Sequence, residues 1–242
     1  MRLHNYLIYA FTALATATCW SANANRFPVQ QIDRNLVLPR HTWQASLIQS
    51  TQFNTEGSSR VVDDNIPEGF FPTLPTYSLT DNLMWLGIPL PYFRYLCTHN
   101  NVSSDTSKPA AGLRLALDFG LTAVAFSSVG HSVVSTFGLS AKKTFNRSLW
   151  WEANAHAYVD NLDFYSAVLS PSLGYQIGQK SFATSTYTLT QIFDNRYKLG
   201  HTFKLGVGTN FTSNISIGLN GSLEFYEDTM TLRSNSYLSF QW

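Results

Sequence analysis

His156 is the residue in this sequence best placed to act as a base. In "LWWEANAHAYV" it alternates with small and apolar residues and shares its parity with Glu152 and Asn154. In an extended chain those three side chains point to one face. Hydrolysis through a covalent intermediate needs a nucleophile, a base and an orienting group within hydrogen-bond reach. A lone histidine hydrogen-bonded into a wall is the plainer use of the same residue. His131 and Ser132 are adjacent, and strand neighbours face opposite ways, so within a strand they cannot form a dyad. No Cys/His cluster has metal-ligand spacing, and neither a metal nor another cofactor is expected.

A larger constellation is electrostatic. Arg114, Asp118, Lys142, Glu152, His156, Lys198, Lys204, Glu224 and Arg233 all fall on the polar parity of long alternating segments. Charges of both signs on one inner wall can select solutes by charge and size. The same charges can instead pair with one another and fill a closed interior.

The elements that would carry them are legible as strands. Ile215, Ile217, Leu219, Leu223 and Phe225 oppose Ser216, Gly218, Asn220, Ser222 and Glu224. Tyr197 to Phe211, Tyr165 to Ile177, Leu149 to Val159, Val133 to Phe145 and Leu113 to Ala125 alternate in the same way. A soluble sandwich also alternates, but these runs reach about 11 to 15 residues, whereas globular strands peak near 5 or 6 and membrane strands need about 9 to 11. Aromatics gather at run ends (Trp150, Trp151, Tyr197, Phe211, Phe225, Tyr226), as in interfacial girdles. No stretch has 18 uncharged apolar residues, which excludes a helical span. Lipid admits only helices and closed barrels, because every backbone group must be bonded internally. The fold class expected is an all-β, transmembrane, antiparallel up-and-down barrel.

Composition agrees. Only 13% of residues are charged and the formal net charge is +1, with no basic stripe of the kind nucleic acid requires. Arg2, the apolar Leu7–Ala17 and the small-x-small Ala22-Asn23-Ala24 read as a cleaved signal peptide over 1–24. Its removal leaves Cys97 as the sole cysteine and no disulfide framework. Residues 25–40, with two prolines and no period, read as an irregular periplasmic lead-in to a barrel over 41–242.

The chain ends "RSNSYLSFQW". Leu238, Phe240 and Trp242 share one parity, and Arg233, Asn235, Tyr237, Ser239 and Gln241 the other. This resembles the C-terminal strand of Gram-negative outer-membrane β-barrel proteins, which ends on an aromatic with apolar residues at alternate positions. Ser236 departs from that pattern. The resemblance implies an outer-membrane location, lipid contact, and recognition of Leu238, Phe240 and Trp242 by the barrel-assembly machinery.

Eleven segments read as strands, but single-chain bacterial barrels have even counts. Dropping 73–80, which lies beside Pro72 and Pro75, gives ten. Splitting 113–125 at Gly120 gives twelve. Pro89 and Pro91 disturb 83–96 as a wall break, a bend or a plug, and only 54–72 and 98–111 are long enough for a cap. His201 and Lys143 interrupt the apolar parity, and Cys97 is expected to be a small buried residue. The function expected is a small passive pore for small hydrophilic solutes. A closed structural or surface-interaction barrel is the alternative, and a hydrolase acting on lipid or peptide the third reading.

Overall fold

The computed structural model of the chain describes residues 28–54, 69–73, 75–86, 90–98, 112–126, 130–160, 163–193, 198–226 and 229–242. The expected signal peptide and most of the two long connections lie outside the described residues. Strand segments follow in order: β1 (Trp43–Asn54), β2 (Gly69–Pro72), β3 (Thr76–Ser78), β4 (Leu83–Leu86), β5 (Tyr92–Leu96), β6 (Leu113–Phe126), β7 (Gly130–Thr144), β8 (Leu149–Asp160), β9 (Asp163–Ile177), β10 (Ser181–Ile192), β11 (Lys198–Asn210), β12 (Ile215–Tyr226) and β13 (Thr229–Gln241).

Neighbours along the chain pair antiparallel, apart from β2 and β3, and β13 closes on β1. β2 and β3 both pair with β1 and are two parts of one wall strand. Between the pairs Leu47↔Pro72 and Gln44↔Thr76, β1 advances three residues and its partner four. The extra residue is a bulge, stitched by Thr73 N–H to the Ser46 carbonyl at 2.7 Å. The barrel is therefore closed and twelve-stranded.

Twelve is one of the two expected counts, reached by a different route. Segment 73–80 is not dropped, because β3 is part of the wall. The extra strand comes from 83–96, which is a hairpin of β4 and β5 in register from Leu83↔Tyr95 to Leu86↔Tyr92. Proline cannot donate to a ladder, and Pro89 and Pro91 fall in the connection between these two strands. β6 is unsplit, its register with β7 running through Gly120↔Thr136. Gly120 has φ +133°, and any Cβ there would collide with the Pro91 carbonyl. That carbonyl accepts the Leu121 N–H at 3.0 Å.

The two faces are inverted relative to a soluble protein. Leu205 is 67% exposed on the outer face, whereas Lys142 and Asp118 are each 2% exposed on the inner one. Outer-face exposure recurs at Leu117, Phe137, Leu173, Phe203 and Leu219. Inward positions include Ser140, Ser166, Gln176, Asn210, Ser222 and Ser239, all buried.

Inward glycines seat rings from the neighbouring strand. Trp150 lies over Gly174, Phe182 over Gly208, Tyr237 over Gly218 and His156 over Gly138, each pair in direct register. A Cβ at any of the four would run into the ring. Trp150 is thus not part of an outer girdle. It is buried inside the barrel in one cluster with Phe182 and Ile32. Gly174→Val is expected to cost about 1–3 kcal/mol by overpacking, while Gly221→Val, with open space around it, stays near neutral. Denaturant unfolding of the refolded barrel checks this, and equal effects at the two sites would contradict it.

Candidate functional site

The site is built where an irregular segment crosses the barrel interior. His41 and Thr42 already bond the Ser78 backbone at 2.9 and 2.8 Å, whereas residues 28–40 hold one short 3-10 turn, Gln31–Asp33, and otherwise lack a ladder of their own. Their backbone groups must find partners elsewhere, and inward side chains of the wall supply many of them. Asn210 on β11 donates to the Val29 carbonyl at 2.6 Å, and the Ile32 N–H donates to the Gln176 Oε1 at 3.4 Å. The Arg34 carbonyl accepts from Arg114 at 3.0 Å and from Lys142 at 2.9 Å. Lys142 also donates to the Gln31 carbonyl at 3.1 Å, and the Ser78 hydroxyl donates to the Leu38 carbonyl at 2.8 Å.

Apolar anchors accompany these bonds. Ile32 packs with Trp150 and Phe182, and Val37 with Met84, Leu96 and Ala116. Arg34 spans the interior: its carbonyl is held on β6 and β7, and its guanidinium donates to the Ser213 carbonyl at 3.3 Å. Ser213 lies in the turn between β11 and β12, across the twelve-stranded ring from β6. Asp33 lies near Arg114 and Lys142, and burial nonetheless raises its carboxyl above the usual carboxylate range, with the two cations opposing that shift.

Beyond this segment, a row of directly paired residues crosses four strands: Arg94 on β5, Asp118 on β6, Gly138 on β7 and His156 on β8. Arg94 clamps Asp118 through two bonds, 2.6 Å to Oδ1 and 2.8 Å to Oδ2. Because Gly138 has no side chain, His156 reaches across it to place Nε2 2.8 Å from Asp118 Oδ2. The Ser140 hydroxyl donates to that same oxygen at 2.9 Å. Serine and histidine both end on the aspartate, so the cluster lacks the serine–histidine bond that activates a nucleophile. It is a charge clamp that ties β5 to β8.

The opposite half of the wall, β9 to β13, is polar but looser. Ser170 pairs with Thr188 and Ser172 with Thr186, each at 2.9 Å across β9 and β10. Glu224 and Arg233 form an ion pair at 3.4 Å, with 28% and 27% of their side chains exposed although both face inward. Lys204 lies opposite Ser222 and interacts electrostatically with Glu224.

Of the residues singled out from sequence, Asp118 and His156 are brought together, as are Lys142 and Glu152 (3.0 Å) and Glu224 and Arg233. Arg114 meets Lys142 only through the Arg34 carbonyl. The side chain of Lys198, like those of His131 and Ser132, lies outside the described residues. Glu152 bonds Lys142, not His156. Arg94 escapes a reading of 83–96 as one strand without an inner parity, although Tyr92, Arg94 and Leu96 alternate there. Leu238 and Phe240 are outward residues paired with Leu47 and Ala45, and Trp242 exchanges backbone bonds of 3.0 and 2.8 Å with Trp43. The outward His201 is satisfied by the Tyr187 hydroxyl at 2.7 Å, with no bulge in that register. Cys97 is exposed, not buried.

No family model matches the chain, and no curated protein matches it. Among solved structures, a CymD monoaromatic hydrocarbon channel is similar at 10% identity and TM-score 0.43, covering 84% of this chain and 88% of its own. A KdgM porin in complex with disordered oligogalacturonate is similar at 11% identity and TM-score 0.42, covering 82% and 98%. The loop L8 deletion mutant of OmpT, an outer membrane protein of Vibrio cholerae, is similar at 9% identity and TM-score 0.41, covering 83% and 98%. These likenesses are loose, and the chemistry of the interior rests on its own residues.

Asp118→Asn removes the fully buried member of the clamp and leaves the part-buried Arg94 without its counter-charge, a loss of about 3 kcal/mol, at the low end of the cost of breaking a buried pair. Glu224→Gln removes a half-solvated pair worth about 0–1 kcal/mol. Unfolding midpoints of the two variants are expected to separate accordingly, and a Glu224→Gln loss as large as that of Asp118→Asn would contradict the clamp.

Proposed function

We propose that the chain is an outer-membrane channel for small hydrophilic solutes, narrowed at its terminus-side mouth by residues 28–42. One observation carries this reading. Glu224 and Arg233 face the interior yet keep about a quarter of their side-chain surface accessible, so solvent reaches the interior beside this pair on β12 and β13. The clamped part of the wall, β5 to β8, supplies rigidity, and the hydroxyl and charged half supplies the solute path. Charges lining such a path select by sign and size. An outer apolar face, an even strand count and the terminal Leu238, Phe240 and Trp242 support export, lipid contact and recognition by the assembly machinery.

The closed-barrel reading has its own support in Arg34, which bridges opposite walls. Planar-bilayer recording separates the two. A channel gives discrete conductance steps, and Lys204→Glu moves its reversal potential toward cation preference. Silence from protein that is demonstrably folded by heat-modifiable gel mobility would sink the channel and favour the closed barrel.

A further inference from the structure

Arg114 and Lys142 stand directly opposite each other on β6 and β7, and both donate to a single neutral oxygen, the Arg34 carbonyl. Arg114 is 4% exposed. Among the described residues it has no carboxylate within ion-pair distance, and that carbonyl is its hydrogen-bond partner. A buried guanidinium held by a neutral acceptor is poorly compensated. Lys142 has one carboxylate, Glu152 at 3.0 Å. The remaining nearby negative charge is Asp33, which belongs to the crossing segment. Remove the segment and two cations face one anion.

The oxygen that occupies them is weakly held by its own segment. Within residues 28–40 the backbone bonds are those of the short turn, Asp33 to Gln30 and Arg34 to Gln31, both 3.3 Å. The rest of its anchorage is to side chains of the wall, to the Ser213 carbonyl through the Arg34 guanidinium, and to two small apolar clusters. Segments with few backbone bonds of their own open at lower free energy than strands do. The segment offers the pair two neutral carbonyl oxygens, of Arg34 and Gln31, whereas a carboxylate offers two charged oxygens that pair with guanidinium and ammonium donors more strongly.

We propose that Arg114 and Lys142 form a carboxylate-binding site for which the Arg34 carbonyl is the resident stand-in, so that a small carboxylate solute displaces residues 28–38 as it binds. This rests on the channel reading for its purpose but not for its test. Anionic solute and crossing segment compete for the same two cations, so occupancy of one empties the other. The channel then opens to the solutes it binds.

The test reads segment release directly. Val37 and Ile32 are buried at 3% and 2% exposure, so a cysteine at either reports exposure of the segment. In a Cys19→Ser, Cys97→Ser background, Val37→Cys and, separately, Ile32→Cys are labelled with a maleimide in the refolded barrel. Succinate is expected to speed labelling by about tenfold at saturation, and the neutral isostere succinamide to leave it unchanged. Arg114→Gln is expected to abolish the response to succinate in both reporters. Unchanged rates with succinate, or equal acceleration by sodium chloride at matched ionic strength, would overturn the site. Conductance without succinate-dependent labelling leaves a channel and removes the site. Succinate-dependent labelling in a barrel that never conducts keeps the site and removes the channel.

Discussion

Two hydrogen bonds between Trp43 and Trp242, 2.8 and 3.0 Å long, mark the place where the last strand meets the first. The seam continues as an uninterrupted register from Gln44↔Gln241 to Asn54↔Thr231. Closure matters because lipid offers no partner for an open edge, where each unbonded backbone group costs several kcal/mol. Once the ladder is closed, side chains divide by parity alone. Apolar residues such as Leu205 and Leu219 turn outward, and Arg114, Asp118 and Lys142 turn inward.

An inward charge then needs partners inside a space of limited width. The barrel answers in two ways. Where cross-strand neighbours carry complementary groups, they pair in register, as Arg94 does with Asp118 and Lys142 with Glu152. Where they do not, as at Arg114, backbone carbonyls of residues 28–42 serve. Glycines fix the width of this space as much as charges do. Gly138 lets His156 cross a strand to Asp118, and Gly174 and Gly208 let Trp150 and Phe182 lie flat and receive Ile32.

The barrel is readable from sequence because a period of two over about a dozen residues is a strong local signal, and it places the inward charges on their face without any tertiary information. The strand count is harder. Residues 83–96 are apolar on both sides of Pro89 and Pro91, so the hairpin of β4 and β5 reads as one strand. The crossing segment leaves no pattern at all, since its partners lie far away in sequence: Arg34 and Arg114 are 80 residues apart, Val29 and Asn210 181. The His156 clamp is hidden for a related reason. Glu152 and Asn154 are its visible neighbours on one strand, whereas its partner Asp118 lies two strands away across a glycine. Glycines on the polar parity look like signs of a wet interior, and several are instead seats for rings.

The position of residues 28–42 inside the barrel decides most of this, and cross-linking measures it directly. With Val29→Cys and Asn210→Cys in a background lacking Cys19 and Cys97, a short bifunctional thiol reagent is expected to join the two in folded, membrane-inserted protein, as a mobility shift lost on denaturation before treatment. Asn210 already reaches the Val29 carbonyl at 2.6 Å. Efficient cross-linking would fix the segment against β11 within the lumen. Absence of the cross-link in folded protein, with both thiols free, would contradict a segment that crosses the interior and every role drawn from it.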